Sequence, residues 1–334
     1  MESSRVGIDS YCLNPLNLSA CEILEWTAAR GGEGVQFSEG NQAAEDTADP
    51  VFLREVADTR RDLNLYVEWG GGQHVPFNTT TWEERDLLDG NRRAAEAASA
   101  VGARVIRSCS GGFFRWEDTA PDTDTLVTAM AAALQPQRAL FDDLGVTLAI
   151  ELHFEFTTFE LLRLFEMCDA EPGGWLGICL DTFNMLPMLE DPVAGTKRIL
   201  PWVAATHIKD GAVVLRPYGI TTFPTPLGGG HVDLPAILDL LDSVNQPVNL
   251  SIEGHGGSFS TAIFDAAFIE RFPDLTGAEM DNLLRMGREG RELFANGDLR
   301  ITERANWPEI CEQRTASDLR YLKDLVSERS ADPH

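Results

Sequence analysis

Four apolar stretches in the second half of the chain each end in a side chain that can bind a metal ion. These stretches end Ala-Ile-Glu151, Cys-Leu-Asp181, Ala-Thr-His207 and Ser-Ile-Glu253. If they are parallel strands of one barrel, their carboxyl ends meet at one mouth, and three carboxylates and an imidazole crowd together there. Carboxylates at close quarters raise one another's pKa unless a cation compensates their charge. The pattern therefore predicts a divalent metal site.

The types of donor narrow the choice of ion. Three carboxylate oxygens and one neutral imidazole, with room left for water or substrate, suit Mn²⁺ or Mg²⁺ best. Co²⁺, Zn²⁺ and Fe²⁺ remain open on the same donors. Each residue alone is a weak signal, since a carboxylate at a strand end commonly caps a helix or contacts a loop. Taken together, the four predict one ion, and Mn²⁺ is the ion that we expect first.

His153 follows Glu151 by two residues. If strand geometry continues to His153, the two side chains share a face at a spacing of about 7 Å. We therefore predict that His153 reaches a substrate bound at the metal. A neutral imidazole is suited to taking a proton from carbon near neutral pH, while a metal stabilises the resulting enolate. The prediction is a catalytic base, and the alternative is a group bonded to a metal ligand.

Other polar side chains near the same mouth are candidate substrate contacts. Lys209 has the strand parity of His207, and Arg107 ends the predicted fourth strand, where an ion pair with a neighbouring carboxylate is the alternative. Asn184 is expected to bind substrate, to hold the Asp181 loop or to cap a helix. The predicted substrate-binding residues are Lys209, Asn184, His255, Arg107 and His74.

Aromatic residues cluster at or just after the predicted third and fourth strands. Their rings could stack on a sugar or on an aglycone, and core packing or a subunit contact is the competing interpretation. The residues are Trp69, Phe113, Phe114 and Trp116.

The elements that must position these residues recur as strand and helix units. Short apolar runs return at intervals of roughly 30 to 45 residues, each followed by a stretch with helical spacing. The predicted strands are 6–9, 34–38, 65–69, 104–108, 147–151, 176–181, 204–209 and 248–253. The predicted helices are 19–30, 48–62, 82–101, 123–144, 157–169, 190–200, 233–244 and 279–295, with a last one at 315–329. Ser19 with Glu22 fits a capping box at the first helix.

Eight such units favour a closed (β/α)8 barrel over an open doubly wound sheet, because the latter tends to carry a glycine-rich turn after its first strand. Residues 10–16 hold no such turn. The segments 211–230 and 254–277 exceed ordinary loops and are expected to shape the pocket after strands seven and eight. We therefore predict a single barrel over residues 1–297 and a C-terminal helical extension over residues 298–334 that packs on it.

The charge of the chain restricts its partners. Lys and Arg number 27 against 53 Asp and Glu, which gives a net charge of −26. Such a surface repels a phosphate backbone, so no nucleic acid partner is expected. The six cysteines are scattered and are interpreted as buried thiols. Because no run of about 20 apolar residues and no secretory core is present, we expect a soluble cytoplasmic protein without a membrane partner.

The strand-end residues lie within a longer series of motifs, which resembles the xylose isomerase-like superfamily of sugar isomerases and epimerases up to about residue 297. The resemblance implies that Glu151, Asp181, His207 and Glu253 are the metal ligands. In an isomerase or epimerase, Glu151 and Glu253 would be the acid and base pair, and His153 would be dispensable. The motifs are Glu151, Asp181-Thr-Phe-Asn184, His207-Ile-Lys209-Asp210, Gly228-Gly-Gly230-His231-Val-Asp233 and Glu253.

The Glu-x-His pair and the long segments after strands seven and eight also resemble catalytic subunits of C-glycoside deglycosidases. That resemblance implies a lyase, in which a 3-keto glycoside loses the proton next to its ketone and then expels the aglycone. It also implies a smaller second subunit, and a homo-oligomer is the alternative assembly. A sugar isomerase or ketose 3-epimerase is the alternative function. More remote alternatives are a DNA repair enzyme of the endonuclease IV type, which the charge opposes, and a non-catalytic sugar-binding subunit, which the intact ligand set opposes.

Overall fold

Apolar strands and amphipathic helices alternate along the chain in the order that a parallel barrel requires. The computed structural model describes residues 4–38, 47–244 and 247–331. Within them the strands are β1 (Val6–Asp9), β2 (Gly34–Gln36), β3 (Tyr66–Gly72), β4 (Val105–Ser108), β5 (Thr147–Glu151), β6 (Leu176–Asp181), β7 (Val203–His207), β8 (Asp210–Arg216), β9 (Gly219–Thr225), β10 (Leu250–Ile252) and β11 (Phe259–Thr261).

Eight of these strands form one parallel sheet in the order β10-β1-β2-β3-β4-β5-β6-β7. The sheet closes between β7 and β10 through a parallel bridge that joins Ile208 to Ile252. At this seam the Ile208 N–H donates to the Ser251 carbonyl at 2.8 Å, and the Glu253 N–H donates to the Ile208 carbonyl at 3.3 Å. The predicted (β/α)8 barrel is confirmed.

Helices surround the barrel. They are α1 (Ala20–Ala29), α2 (Pro50–Asp62), α3 (Leu88–Val101), α4 (Thr123–Leu134), α5 (Arg138–Leu144), α6 (Thr158–Met167), α7 (Pro192–Ile199), α8 (Leu234–Ser243), α9 (Ala266–Ile269), α10 (Gly277–Asn296) and α11 (Trp307–Ala331). The predicted capping box of α1 is present, because the Ser19 hydroxyl accepts from the Glu22 N–H and the Glu22 carboxylate accepts from the Ser19 N–H. No described helix has both the length and the apolar content that crossing a bilayer requires.

Two of the helices predicted around the barrel differ from the structure. The helix predicted over 82–101 begins at Leu88, since the preceding residues form a bridge between Phe77 and Glu84 and a turn held by the Asn78 side chain. The helix predicted over 123–144 is divided by a short 3₁₀ turn over Gln135–Gln137. Pro136 explains the division, because proline has no N–H to continue an α-helical ladder.

The extensions predicted after the seventh and eighth barrel strands are regular structure. Strands β8 and β9 form an antiparallel hairpin, and β11 pairs with β9 to make a three-stranded sheet. Val213 pairs with Thr222 and Val214 with Thr221 across the hairpin. Such β-branched pairs stabilise antiparallel strands. Helix α10 packs closely on β8, so the hairpin is fixed to the barrel wall.

The C-terminal helix is longer than predicted. Helix α11 begins at Trp307, whereas the sequence indicated residue 315. The Trp307 indole N–H donates to the Cys12 carbonyl at 3.2 Å, and Leu319 and Leu322 are fully buried. This helix therefore lies against the segment that follows β1. The division of the chain at residue 297 remains a prediction.

Candidate metal centre and active site

The four predicted ligands come from consecutive barrel strands. Glu151, Asp181 and His207 are the last residues of β5, β6 and β7, and Glu253 follows the end of β10. Asp181 and His207 are direct register partners. One ligand atom from each of the four residues lies within 4.8 Å of the others. The barrel therefore brings together the carboxylates and the imidazole that the strand ends indicated.

The orientation of His207 decides which ring nitrogen faces the cluster. Its Nδ1 lies 3.3 Å from a Glu151 oxygen, 3.6 Å from a Glu253 oxygen and 3.9 Å from an Asp181 oxygen. The His207 and Asp181 side chains are buried, and that of Glu253 is 11% exposed. An ion bound by this group would use Nδ1 and three carboxylate oxygens. Solvent reaches the group from the side of Glu253, which is its most exposed member.

The opposite nitrogen of His207 contacts two residues that the sequence reasoning missed. Its Nε2 lies against the Gln36 amide oxygen and 3.3 Å from Asp9 Oδ2. Gln36 in turn donates its amide N–H to Glu68 at 2.6 Å, and Asn249 donates to the same carboxylate at 2.9 Å. Asp9 is the last residue of β1, as Glu151 is the last residue of β5. Its position at a strand end could therefore have indicated it from the sequence. Contacts of this kind orient a ligating imidazole.

Asp181 is held by the turn that follows β6. One of its oxygens accepts from the N–H groups of Phe183 and Asn184, at 2.9 and 2.8 Å, and the other accepts from the Asn184 side-chain amide at 2.8 Å. Of the alternatives for Asn184, the structure therefore favours the one in which it holds the Asp181 loop. Asn184 does not cap a helix, since α7 begins only after Asp191.

Two cations compensate the carboxylates. Lys209 Nζ lies 2.9 Å from an Asp181 oxygen and contacts Glu253, while Arg107 Nη1 lies 2.5 Å from a Glu151 oxygen. Burial opposes the charge of Lys209, but the two neighbouring carboxylates raise its pKa well above the ordinary value. The ion pair that was the alternative for Arg107 is present.

The chemistry of the donor set fits a divalent cation. Three carboxylate oxygens and one imidazole nitrogen converge at a buried barrel mouth, and hydrogen bonds from neighbouring residues fix the orientation of Asp181 and His207. Hard oxygen donors with a single imidazole are the set that Mn²⁺ and Mg²⁺ prefer. The cluster can therefore bind a metal ion.

His153 does not continue the strand as predicted. Strand β5 ends at Glu151, and the His153 N–H donates to the Glu151 carbonyl at 3.0 Å, so the chain turns there. The His153 side chain is 19% exposed, and its Nδ1 lies 3.1 Å from both oxygens of Glu155. The imidazole is close enough to Glu151 for each charge to act on the other. His153 therefore stands in the turn that directly follows Glu151, within electrostatic range of that residue, and not on the strand.

Glu155 is a further residue that the sequence reasoning missed. Its side chain is 1% exposed, and it accepts hydrogen bonds from the Ser110 hydroxyl at 2.6 Å and from the Gly112 N–H at 2.8 Å. Burial opposes its ionisation, but the His153 imidazole and these hydrogen bonds lower the pKa of Glu155 overall. Burial opposes a charged His153 as well, yet Glu155 raises the pKa of the imidazole. The two side chains form a hydrogen-bonded dyad.

The other three histidines that the structure describes lie in different environments. His255 Nε2 is 3.5 Å from Lys209 Nζ, so His255 borders the cluster. His74 is buried, with Nδ1 2.7 Å from the Ser108 hydroxyl, and burial lowers its pKa to about 4. His231 accepts from the Val213 N–H at 3.0 Å and belongs to the hairpin.

Three stacked aromatic rings lie next to the dyad. The ring centroids of Phe113, Phe154 and Phe259 are 4.8 to 5.3 Å apart, and Phe154 is 4.6 Å from the His153 ring. Trp116 meets Phe259 edge-on at 4.7 Å. We call Phe113, Phe154 and Phe259 the aromatic wall.

Two of the predicted mouth aromatics belong to the core instead. Trp69 packs edge-on against Phe37 at 5.4 Å, and Phe114 packs edge-on against Trp82 at 5.0 Å. Both side chains are buried. They are therefore not available to a ligand.

The sequence model of the xylose isomerase-like TIM barrel matches residues 24–275. The chain belongs to this family. The closed eight-stranded sheet agrees with this family, and the match includes every residue of the metal cluster and of the dyad.

Two curated relatives of this xylose isomerase-like protein are identical to it at about a quarter of the aligned positions. An Escherichia coli protein recorded as uncharacterized protein YihM is 26% identical over 206 residues, which are 62% of this chain and 55% of that protein. The chain thus spans about half the length of that relative. A 3-oxo-isoapionate decarboxylase of Pectobacterium atrosepticum is 27% identical over 259 residues, 74% of this chain and 84% of the relative.

Among solved structures, a D-psicose 3-epimerase of Clostridium cellulolyticum in complex with D-tagatose has the same fold. Its TM-score is 0.61, with 13% identity, and the superposition covers 96% of this chain and 99% of the epimerase. At this level of identity the likeness concerns the fold.

Proposed function

We propose that this protein is a divalent-metal-dependent enzyme that removes a proton next to a carbonyl of a sugar-derived substrate. The observation that carries the proposal is the position of the His153–Glu155 dyad beside the buried group of four metal-binding residues. Glu151, Asp181, His207 and Glu253 would hold one ion, and Mn²⁺ is the ion that we propose. Such an ion supplies electrophilic stabilisation of the negative charge that develops on a substrate carbonyl.

The hydrogen bond within the dyad suggests a different role for each of its two side chains. Because Glu155 accepts at Nδ1, the neutral imidazole keeps its proton there and its Nε2 lone pair is free to take a proton from carbon. The anionic Glu155 then stabilises the imidazolium that forms. Lys209, together with Asn184, His255, Arg107 and His74, is proposed to bind or surround the substrate, with Lys209 and Arg107 donating to its oxygens.

The two cations at the cluster favour a single base over a pair of carboxylates. Glu151 is held by Arg107 and Glu253 is held by Lys209. A carboxylate that accepts from a cation is a weaker base than a free one. The acid and base pair expected of an isomerase would have to break both contacts. His153 carries no such cation, which favours proton removal on one face of the substrate.

For the finer assignment we propose a lyase that acts on a 3-keto C-glycoside. His153 would take the proton from the carbon next to the ketone, its electron pair would form a carbon–carbon double bond, and the bond to the aglycone on the following carbon would break. The released aglycone carbanion would take up a proton, which leaves an unsaturated keto sugar. The aromatic wall beside His153 supports an aromatic leaving group, since stacked rings bind planar ring systems. A smaller second subunit stays part of this proposal.

The decarboxylase relative favours a second candidate. Loss of carbon dioxide from a 3-oxo acid also leaves an enolate, so the same cluster would stabilise the same charge. His153 would then donate a proton to carbon instead of removing one. A sugar isomerase or ketose 3-epimerase is the third candidate, and the structural neighbour is such an epimerase. In these reactions the enolate is reprotonated at a different atom or on the opposite face.

One experiment separates the candidates. The Mn²⁺-loaded enzyme is incubated with a 3-keto C-glycoside, a 3-oxo sugar acid and a free ketose, and the products are identified. We expect aglycone release from the glycoside, and a loss of roughly 100-fold or more in His153→Ala. His231→Ala is the matched control, because the His231 ring accepts from the Val213 N–H of the hairpin and belongs to neither the metal cluster nor the dyad. Epimerised ketose as the main product, formed at full rate by His153→Ala, would show that the lyase proposal is wrong.

A further inference from the structure

A second group of metal-binding side chains lies next to the first and shares none of its residues. Cys109 follows β4, and His153 and Glu155 follow β5. One sulfur, one ring nitrogen and one carboxylate oxygen of these residues lie within 4.8 Å of one another. Cys109 and His153 are half-buried and Glu155 is buried, so solvent reaches the group from one side.

The donors of this second group differ in kind from those of the first. A thiolate with an imidazole and a carboxylate is a set that Zn²⁺ binds well, whereas Mn²⁺ and Mg²⁺ prefer oxygen. Glu155 already points at the His153 ring, and the Ser110 hydroxyl and Gly112 N–H hold it there. Two of the three donors are therefore preorganised, and the third lies on the adjacent loop.

We propose that Cys109, His153 and Glu155 form a second metal site, which selects Zn²⁺ over Mn²⁺. On binding, the Cys109 thiol would release its proton to solvent and the sulfur would coordinate as a thiolate. The ion would take the place of the Nδ1 proton that His153 shares with Glu155. Three protein donors leave one position of a tetrahedral site for water.

Occupancy of this site has a functional consequence, which rests on the proposed role of His153. When Nδ1 binds Zn²⁺, the ring proton moves to Nε2, so the imidazole loses both its hydrogen bond to Glu155 and the lone pair that would accept a proton from carbon. Occupancy of the second site alone would therefore inhibit the enzyme. Burial and the nearby Glu151 and Glu155 carboxylates raise the pKa of the Cys109 thiol, so the bound ion itself has to displace the thiol proton.

Co²⁺ can report on this site spectroscopically. It binds the same kinds of ligand as Zn²⁺, and a Co²⁺–thiolate bond gives a charge-transfer absorption band. One equivalent of Co²⁺ is added to Mn²⁺-loaded protein, and the thiolate-to-cobalt charge-transfer absorption is recorded. We expect the band in the unchanged protein and in Cys21→Ser, and its loss in Cys109→Ser. Cys21 is the matched control because it is also half-buried but lies on α1, against Thr59.

Binding and inhibition are then measured with Zn²⁺ alone. Equilibrium dialysis of the Mn²⁺-loaded proteins should give a Zn²⁺ dissociation constant at least about tenfold higher for Cys109→Ser than for Cys21→Ser. The residual rate in Zn²⁺, taken relative to the zinc-free rate of the same variant, should rise in Cys109→Ser. A band that survives in Cys109→Ser, or equal Zn²⁺ affinity in the two variants, would overturn the proposal.

The test is separable from the proposed function. Glu253→Gln weakens the first site but leaves the three donors of the second, so the cobalt–thiolate band should persist in that variant. If no sugar substrate were ever turned over, the band and the dialysis would still decide whether the second site exists. Thermal unfolding of each variant, measured without added metal, checks that every variant is folded before its metal binding is compared.

Discussion

His153 Nδ1 lies 3.1 Å from both carboxylate oxygens of Glu155, and Glu155 is fixed by a hydroxyl and an N–H from the loop after β4. The loop after β4 therefore fixes the carboxylate that sets the protonation of a histidine in the loop after β5. This arrangement makes Glu155 a positioning residue for the proposed base.

Replacement of Glu155 by Gln should lower kcat by roughly 100-fold while KM changes less than about twofold. The amide can present its N–H to His153, which would place the ring proton on Nε2 and remove the free lone pair. Steady-state kinetics on the substrate found by product analysis provide the measurement, and Mn²⁺ content should be unchanged. A fall in kcat/KM that comes only from KM would contradict the positioning role.

Asn184→Ala should weaken Mn²⁺ binding by roughly 10- to 100-fold, because one Asp181 oxygen loses the amide that orients it. Titration of the metal-free protein with Mn²⁺ measures the change. Asn78→Ala is the control, since Asn78 supports a distant turn through similar contacts. Equal Mn²⁺ affinity in the two variants would show that the backbone N–H groups alone fix Asp181.

Lys209→Met should destabilise the metal-free protein far more than the Mn²⁺-loaded one. Without an ion, Lys209 balances Asp181 and Glu253, and removal of one member of a buried charge group costs about 3 to 5 kcal/mol. A bound ion replaces that compensation. Denaturant unfolding in chelator and in Mn²⁺ measures both free energies, and an equal loss under the two conditions would argue against an ion between these carboxylates.

Glu68 should make the stability of the metal-free protein fall as the pH rises. Burial raises the pKa of Glu68 to about 7, despite hydrogen bonds from Gln36 and Asn249 that lower it. The folded state then holds a proton that the unfolded chain releases above about pH 4.3, so stability declines between that pH and about 7, by at most about 4 kcal/mol.

Glu68→Gln cannot ionise and should lack this decline. The free energy of unfolding of both proteins is measured at about pH 5 and about pH 8. At each pH, the difference between the unchanged protein and the variant reports the contribution of Glu68 alone. The unchanged protein should lose stability relative to the variant at the higher pH. A constant difference would mean that Glu68 is ionised throughout.

Gly290→Ala should destabilise the protein by about 1 to 3 kcal/mol, because a Cβ there would lie 2.0 Å from the Val213 carbonyl oxygen. Gly277→Ala, in the same helix, is the control, since no atom lies within 4 Å of a Cβ at that position. The midpoints of thermal unfolding of the two variants provide the measurement. Equal midpoints would show that α10 can move away from the hairpin at little cost.

The barrel and the metal cluster were predictable because their signals are local. Each ligand stands at the end of an apolar run, and parallel strands bring such ends to one mouth. The role of Glu155 was not predictable, since it depends on Ser110 and Gly112, which are more than 40 positions away and became neighbours only on folding. The hairpin was missed because the glycine and proline content of 211–230 concealed the pairing of its β-branched residues.

The first site and the dyad are built on different parts of the barrel. The metal-binding side chains stand at the ends of strands whose backbones are bonded on both sides, whereas His153, Glu155 and Cys109 lie in the connections that follow. Under the proposed function, substitutions in those connections would alter proton transfer, or inhibition by zinc, without changing the side chains that would hold the first ion. A lineage could therefore exchange one reaction for another by mutating two short loops, and keep a working catalyst at each step.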